Sequence, residues 1–160
     1  MMRRKRWLSL FVENDIGVLA EISGMFAGKA YNLDSLTVGV TEDKTVSRMT
    51  ICLTSDDALF EQIKKQLNRN VNVIKVLDLT DQSFIEKELA YYKISNIGAD
   101  ITDKILRVVK DFDLTIVDTG PDFVLLQSVN SQEGNDNIVS KLQLLKCKTE
   151  IVRGGSVVAY

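Results

Sequence analysis

The 160-residue sequence contains no histidine and only two cysteines. Histidine is the commonest general base in enzymes and a frequent zinc ligand, so its absence argues against a catalytic centre and a metal site. Cys52 and Cys147 stand far apart, and neither has a second cysteine at the spacing of a zinc ribbon or a redox pair. We therefore expect no catalytic residue, no metal and no disulfide, with each cysteine serving as a small apolar side chain.

Long apolar runs are also missing, since no uninterrupted stretch reaches six residues. A membrane-spanning helix needs about 20 apolar residues, and the basic start Arg3–Arg6 is not followed by a signal-peptide core. We expect a cytoplasmic protein without a membrane contact. Twenty basic residues against 22 acidic ones give a net charge of −2, which is not the positive surface that nucleic-acid binding requires, so no nucleic-acid partner is expected.

The first half of the chain combines strand and helix periodicities in a regular order. Apolar residues alternate over Trp7–Val12 and then recur at helical spacing from Val18 to Phe26. A hairpin is predicted on both sides of a polar turn at 41–45, and a second helix and a closing strand follow before residue 80. The predicted order is β-α-β-β-α-β.

The second half repeats this order after a polar stretch at 80–83, which is the predicted linker. Its first strand is predicted at Leu89–Ile94 and its last at Lys148–Val152, and its second helix is predicted to carry Leu142 and Leu145. The order of elements is repeated, although the amino-acid sequence itself is not.

Two β-α-β-β-α-β units in tandem predict an α+β protein with two ferredoxin-like domains. Each domain would be a four-stranded antiparallel sheet covered on one face by two helices. We place the domains at residues 1–80 and 81–160. Because many unrelated functions use this fold, the function must be argued from particular residues.

The residues at two key positions of the fold, the central strand and the first loop, argue against two of its common functions. An RNA-recognition domain needs aromatic residues on its central strands, and the strand at Val46–Leu53 has none. A metal-delivery domain would carry paired cysteines in its first loop, where this chain has Asp15–Gly17. The carboxylates are spread over helix starts and predicted surfaces, so no convergent titratable cluster points to an enzyme.

The first turn, where the first strand passes into the first helix, is the candidate binding site. A helix N-terminus binds anions through its free amides, and Gly17 would let a ligand carboxylate approach the backbone. Asn14 and Asn32 add amides that both donate and accept hydrogen bonds. The residues expected to surround a branched aliphatic side chain are Ile16, Val18, Leu19 and Leu33. Asn, Asp and Gly are also what an ordinary strand-to-helix turn prefers, so turn chemistry alone remains an alternative.

Four segments of the first half together resemble one known family. The segments are Glu13–Leu19, Tyr31–Val38, Ser47–Ile51 and Glu61–Leu67. They are similar to the small, regulatory subunits of acetolactate synthase, also called acetohydroxyacid synthase. The resemblance extends over about residues 6–80, and the second half resembles the C-terminal domain of the family by its length and element order.

The resemblance implies that the first domain is an ACT domain and that the chain is a non-catalytic regulatory subunit. Such a subunit activates a separate large subunit and confers feedback inhibition by a branched-chain amino acid, usually valine. The resemblance assigns thiamine diphosphate, magnesium and FAD to the large subunit, which condenses pyruvate with a second 2-keto acid.

The resemblance also implies where the effector binds. The effector contacts of the family fall on the first turn and on the segment after the helix, at Asn14, Gly17, Val18, Leu19, Asn32 and Leu33. ACT domains of the family pair side by side, which implies a homodimer with the effector between the turn of one chain and the helix-to-strand segment of the other. An isolated ACT module that binds an amino acid and regulates a different partner is the alternative function.

Overall fold

The order β-α-β-β-α-β occurs twice along the chain, whose residues 3–27 and 32–160 are described by the computed structural model. Tyr31, which belongs to one of the family-like segments, lies outside these residues. The first set of elements is β1 (Arg4–Glu13), α1 (Val18–Ala27), β2 (Leu33–Val40), β3 (Val46–Ser55), α2 (Asp57–Leu67) and β4 (Val73–Asp78). The second set is β5 (Ile85–Ser95), α3 (Ala99–Asp111), β6 (Thr115–Thr119), β7 (Phe123–Asn130), α4 (Gln132–Gln143) and β8 (Lys148–Ala159). The predicted α+β fold with two ferredoxin-like domains is confirmed.

The chain forms two units, and the first of them takes residues from both ends of the sequence. It comprises Met1–Ile85 together with Val157–Tyr160, and the second unit comprises Glu86–Ser156. The last residues of β8 are therefore part of the first unit. No local sequence pattern indicated this return of the chain.

The sheet of the first unit has the strand order β2-β3-β1-β4, and its described strand pairs are antiparallel. Alternation in β1 sends Leu8, Leu10 and Val12 to the face that α1 and α2 cover. Asp56 accepts a hydrogen bond of 2.9 Å from the Leu59 amide, so it is the N-cap of α2.

The opposite face of this sheet is also covered, and the last residues of the chain contribute to the cover. Trp7, Cys52 and Leu79 are buried there with Val158. Arg48 donates hydrogen bonds of 3.0 Å to the Ser9 hydroxyl and to the Val158 carbonyl. Its guanidinium also lies 5.7 Å from the ring centre of Phe11 and 4.8 Å from that of Tyr160. Arg48 thus fastens the end of the chain to the first sheet.

Replacing this arginine tests how much the fastening contributes to stability. We expect Arg48→Ala to lower the free energy of unfolding by about 1–3 kcal/mol, because two hydrogen bonds from a charged group and two ring contacts are lost. Urea denaturation measures the change. Arg69→Ala is the matched control, since Arg69 is an exposed residue of the same unit. Equal stability of the two variants would show that Arg48 does not hold the chain end in place.

The sheet of the second unit has the order β6-β7-β5-β8. Its core contains Tyr92, Ile94, Leu126 and Ile138, all inaccessible to solvent. Three local predictions differ from the structure. β5 begins at Ile85 and not at Leu89. β8 begins at Lys148 as predicted but runs to Ala159 instead of ending at Val152, and Leu145 lies beyond the end of α4 at Gln143.

The early end of α4 has a backbone cause. Lys146 has a φ of 54°, which is a left-handed conformation that ends a right-handed helix. The Leu145 amide donates to the Leu142 carbonyl in a turn. Leu145 still packs against the core, so its apolar spacing reflected burial and not helix.

A buried polar network joins α4 to the second sheet. Glu88 is 3 % exposed, and its carboxylate accepts hydrogen bonds from Arg153 and from the Asn135 amide. Burial opposes the charge of Arg153, but its hydrogen bonds to Glu88 and Asp136 outweigh this and raise the pKa of the guanidinium. The Tyr92 hydroxyl donates to Asn135, and burial raises the pKa of this tyrosine to about 12. A charged group as deeply buried as Glu88 is stable only with such partners.

Cys52 is buried in the covered second face of the first sheet, and Cys147 is half-buried beside the second core. Among the described helices, none is both long and apolar enough to cross a membrane.

Candidate functional site

The first turn connects β1, which ends at Glu13, to α1, which begins at Val18. Gly17 stands immediately before the helix with a φ of 90°, a conformation that residues with a side chain rarely adopt. A Cβ placed on Gly17 would meet no atom within 4 Å. The glycine is therefore required by the backbone conformation, and the space beside it is open to a ligand.

Asn14 is held in place by the hairpin that joins β2 and β3. Its side-chain amide donates to the Lys44 carbonyl and its side-chain oxygen accepts from the Ser47 hydroxyl, both at 2.9 Å. Its backbone amide donates to the Thr45 carbonyl at 2.7 Å. The predicted ability of Asn14 to donate and accept is thus used within the chain, where it fixes the position of the first turn.

The hairpin turn that holds Asn14 has its own stabilising bonds. The Asp43 carboxylate accepts hydrogen bonds from the hydroxyl and the amide of Thr45, at 2.7 and 2.9 Å. These bonds favour the ionised form of Asp43 and so lower its pKa. Ser47 and Lys44 were not among the predicted site residues, although Ser47 belongs to one of the family-like segments.

The start of α1 has the features of an anion site. The first hydrogen bond of full helical length runs from the Glu21 amide to the Gly17 carbonyl, so the amides of Leu19 and Ala20 precede the helical hydrogen-bond ladder. The carboxylate of Glu21 would oppose an anion, but it accepts from Asn70 and Asn72 at 2.7 and 2.6 Å. The Glu21 carboxylate, which is the acidic group of the helix nearest to its start, is therefore occupied by hydrogen bonds within the chain.

The four predicted apolar contacts are divided between surface and core. Ile16 is fully exposed and Leu19 is 49 % exposed, so both are available to a ligand or a second chain. Val18 is 4 % exposed and packs in the core, which leaves its backbone as the accessible part. Leu33 is half-buried against the same core, and Asn32 before it is exposed.

The two halves of the predicted site lie at opposite ends of the first sheet. Leu33 pairs with Leu53, which pairs with Arg6 near the start of β1. Glu13, next to the first turn, is seven residues further along β1, which corresponds to roughly 23 Å of extended chain. The structure therefore does not bring Asn32 close to Asn14 within one chain.

In the described part of the chain, no group of three or more Cys, Asp and Glu side chains is arranged to hold a metal ion.

Known protein families match both halves of the chain, including the part that contains the four family-like segments. The family described as the AHAS small subunit-like ACT domain matches residues 8–75, and the family described as the small subunit of acetolactate synthase matches residues 87–159. The acetolactate synthase small subunit of Aquifex aeolicus is 39% identical over 143 residues, which cover 89% of this chain and 73% of that protein. This chain belongs to the acetolactate synthase small subunit family.

Two further members support the assignment over nearly the whole chain. The acetolactate synthase small subunit of Haemophilus influenzae is 38% identical over 153 residues, covering 96% of this chain and 93% of that one. The crystal structure of the acetolactate synthase small subunit from Thermotoga maritima superposes with a TM-score of 0.85 at 27% identity, covering 98% and 96% of the two chains. The first unit is thus an ACT domain of the acetolactate synthase small subunit type, as predicted.

Gly17 offers a direct test of the strained turn in this family member. We expect Gly17→Ala to lower the free energy of unfolding by about 1–2 kcal/mol, because alanine is penalised in a left-handed conformation. Thermal or urea unfolding measures the change. Gly24→Ala is the matched control, since Gly24 lies inside α1 and its added Cβ also meets nothing within 4 Å; it should gain about 0.5–1 kcal/mol. A stable Gly17→Ala variant would contradict the assigned backbone strain.

Proposed function

We propose that this chain is the non-catalytic regulatory subunit of an acetolactate synthase. It binds the large subunit, raises its turnover and transmits feedback inhibition by a branched-chain amino acid, with valine as the expected effector. Under this proposal thiamine diphosphate, magnesium and FAD are bound by the large subunit, and both subunits act in the cytoplasm. The relatives are small subunits, and this supports a large-subunit partner, because a small subunit implies a larger one.

The observation that carries the proposal is the separation of the two half-sites. β2 is an edge strand of the first sheet, and its residues Val38 and Val40 are 45 % and 59 % exposed. Exposed apolar residues on an edge strand favour pairing with another strand. Two copies of β2 that pair antiparallel would form one eight-stranded sheet around a two-fold axis.

This pairing would also complete the effector site. The end of β2 lies beside the first turn, because Val40 pairs with Ser47 and Ser47 bonds to Asn14. Antiparallel pairing sets the start of one β2 beside the end of the other. Asn32 of one protomer would then approach Asn14 of its partner, and a homodimer would contain two equivalent sites.

The chemistry of the completed site suits a branched-chain amino acid. The amides at the start of α1 would bind its carboxylate, and the open space at Gly17 would let that carboxylate reach the backbone. Ile16 and Leu19 are exposed enough to contact the aliphatic side chain of the ligand. Asn32, contributed by the other protomer, would bind a polar group of the ligand through its side-chain amide.

Regulation then needs only a difference between two arrangements of the dimer. An effector that contacts both protomers stabilises the arrangement in which its site is complete. If the large subunit binds the two arrangements unequally, the effector changes its activity, and a coupling free energy of about 1–3 kcal/mol is sufficient. The chain itself performs no chemistry in this mechanism.

Reconstitution with the large subunit tests the regulatory role. We expect the purified chain to raise acetolactate formation by the large subunit, and we expect valine to reduce that rate only when the chain is present. Initial rates with and without each component measure both effects. A large subunit whose rate is unaffected by this chain would favour the alternative, an ACT module that regulates a different protein.

Thermal unfolding tests the effector site separately. At valine concentrations near 100 times the dissociation constant, we expect the folded dimer to gain about 2.7 kcal/mol, with leucine and isoleucine compared in parallel. Asn32→Ala should abolish this gain, whereas Asn137→Ala, at an exposed position of α4, should keep it. If none of the three amino acids shifts the unfolding temperature of the unaltered chain, the effector claim fails while activation can still hold.

A further inference from the structure

The second unit contains an apolar pocket that the proposed effector site does not use. It has a volume of about 240 Å³ and lies between α3 and the hairpin of β6 and β7. Side chains that line the pocket include Ile97, Thr102, Ile105, Leu106, Ile116 and Phe123. An apolar cavity of about 150 Å³ is large enough to hold benzene, so this pocket accommodates one apolar side chain.

The wall of the pocket is fixed by a close contact in the β6–β7 turn. A Cβ on Gly120 would lie 2.2 Å from the ring of Phe123, so the ring packs directly against this glycine. The Ile97 amide donates to the Asp122 carbonyl at 3.3 Å, which ties the same turn to the segment before α3. The walls of the pocket are therefore held by a packing contact and a backbone hydrogen bond.

The strand beside the pocket is an edge with every residue exposed. β6 is the terminal strand of its sheet, and all five of its residues from Thr115 to Thr119 are exposed. Among the described strands only β7 pairs with it. One side of β6 thus offers backbone amides and carbonyls for a further strand, and its β-branched residues favour extended pairing.

Pocket and edge are adjacent, which matches a known mode of peptide recognition. Ile116 pairs with Leu126, whose side chain is buried beneath the helices, and Ile116 itself lines the pocket. A strand added to β6 would point alternate side chains to the same face. An extended peptide can therefore bond to the β6 backbone while one of its apolar side chains enters the pocket between β6 and α3.

We propose that the second unit binds an extended segment of the acetolactate synthase large subunit as an added strand on β6, with an apolar side chain of that segment in this pocket. The inference rests on the proposed function for the identity of the partner. It adds a docking site that lies outside the ACT domain.

The charges around the pocket define the kind of segment that fits. Asp103 shares a face of α3 with Leu106, as does Lys110, and Asp118 and Asp122 flank the β6–β7 turn; all four are exposed. Lys93 lies 5.3 Å from the ring centre of Phe123, so the acidic part of the rim is the part at the β6–β7 turn. A partner segment with Lys or Arg beside its apolar residue would be attracted to this rim. Asp118 is the one charged residue of β6, so a self-paired register that sets it opposite its own copy is disfavoured.

The test uses the complete chain and the purified large subunit. Amide hydrogen exchange of Thr115–Thr119 should slow in the complex, because the free edge amides become paired. Leu106→Glu should weaken binding by about tenfold or more, as expected for a central apolar contact. Leu106 is already 49 % exposed, so the variant should fold. Asp103→Lys should weaken binding and reduce its dependence on salt.

Two matched controls separate this site from general surface effects. Leu144→Glu changes an apolar residue that is 73 % exposed just after α4, and Asp111→Lys reverses a charge at the last residue of α3. Both should bind like the unaltered chain.

Each contrary result has a distinct meaning. If the unaltered chain binds the large subunit but β6 exchange and both pocket variants are unchanged, the docking site is wrong and the proposed function stands. If β6 exchange slows as the chain alone is concentrated, the occupant is a second copy and the proposal is overturned. If the unaltered chain does not bind the large subunit, the proposed function fails and this inference fails with it.

Discussion

Burial of β1 on both of its faces is the constraint on which the first unit depends. Leu8, Leu10 and Val12 are buried under the helices, and Trp7 and Ser9 are buried on the other face. A central strand buried on both sides has one register available to it, because a shift by one residue would exchange its two sets of side chains. The end of β1, and with it the first turn, is therefore held in one position relative to the hairpin that bonds Asn14.

Much of the fold follows from local patterns, because alternation and helical spacing report burial directly. The order of elements and the glycine before α1 were both accessible from the sequence. The return of Val157–Tyr160 to the first unit was not, because Arg48 and Val158 are 110 residues apart and no local rule pairs them. Leu145 shows the same limit, since its spacing indicated burial but not the turn at Lys146 that ends the helix.

Local sequence chemistry indicated the residues of the candidate turn, but it did not indicate how those residues pack. Gly17 and Asn14 were selected because their chemistry suits a strand-to-helix turn, and the structure gives both a clear role. The burial of Val18 depends on the packing of α1, which a motif does not specify. The distance between Asn14 and Asn32 depends on strand order, which no local motif specifies; only the family resemblance implied that the two act from different protomers.

Comparison of the two units shows that similar turn sequences can lie in different surroundings. Ile16 and Gly17 precede α1, and Ile97 and Gly98 precede α3 in the same way. Gly17 has open space around it, whereas a Cβ on Gly98 would lie 2.8 Å from a carboxylate oxygen of Asp100. An acidic group at the start of α3 opposes a bound carboxylate, so the repeated turn does not imply a repeated effector site.

The placement of Asn14 and Asn32 at opposite ends of the sheet has a genetic consequence. In the proposed dimer each site draws one half from each protomer, so a protomer altered at Asn14 and a protomer altered at Asn32 would combine into a mixed dimer. One of its two sites would carry both alterations, and the other would carry neither. Two defective alleles expressed together would therefore restore effector sensitivity that neither supplies alone.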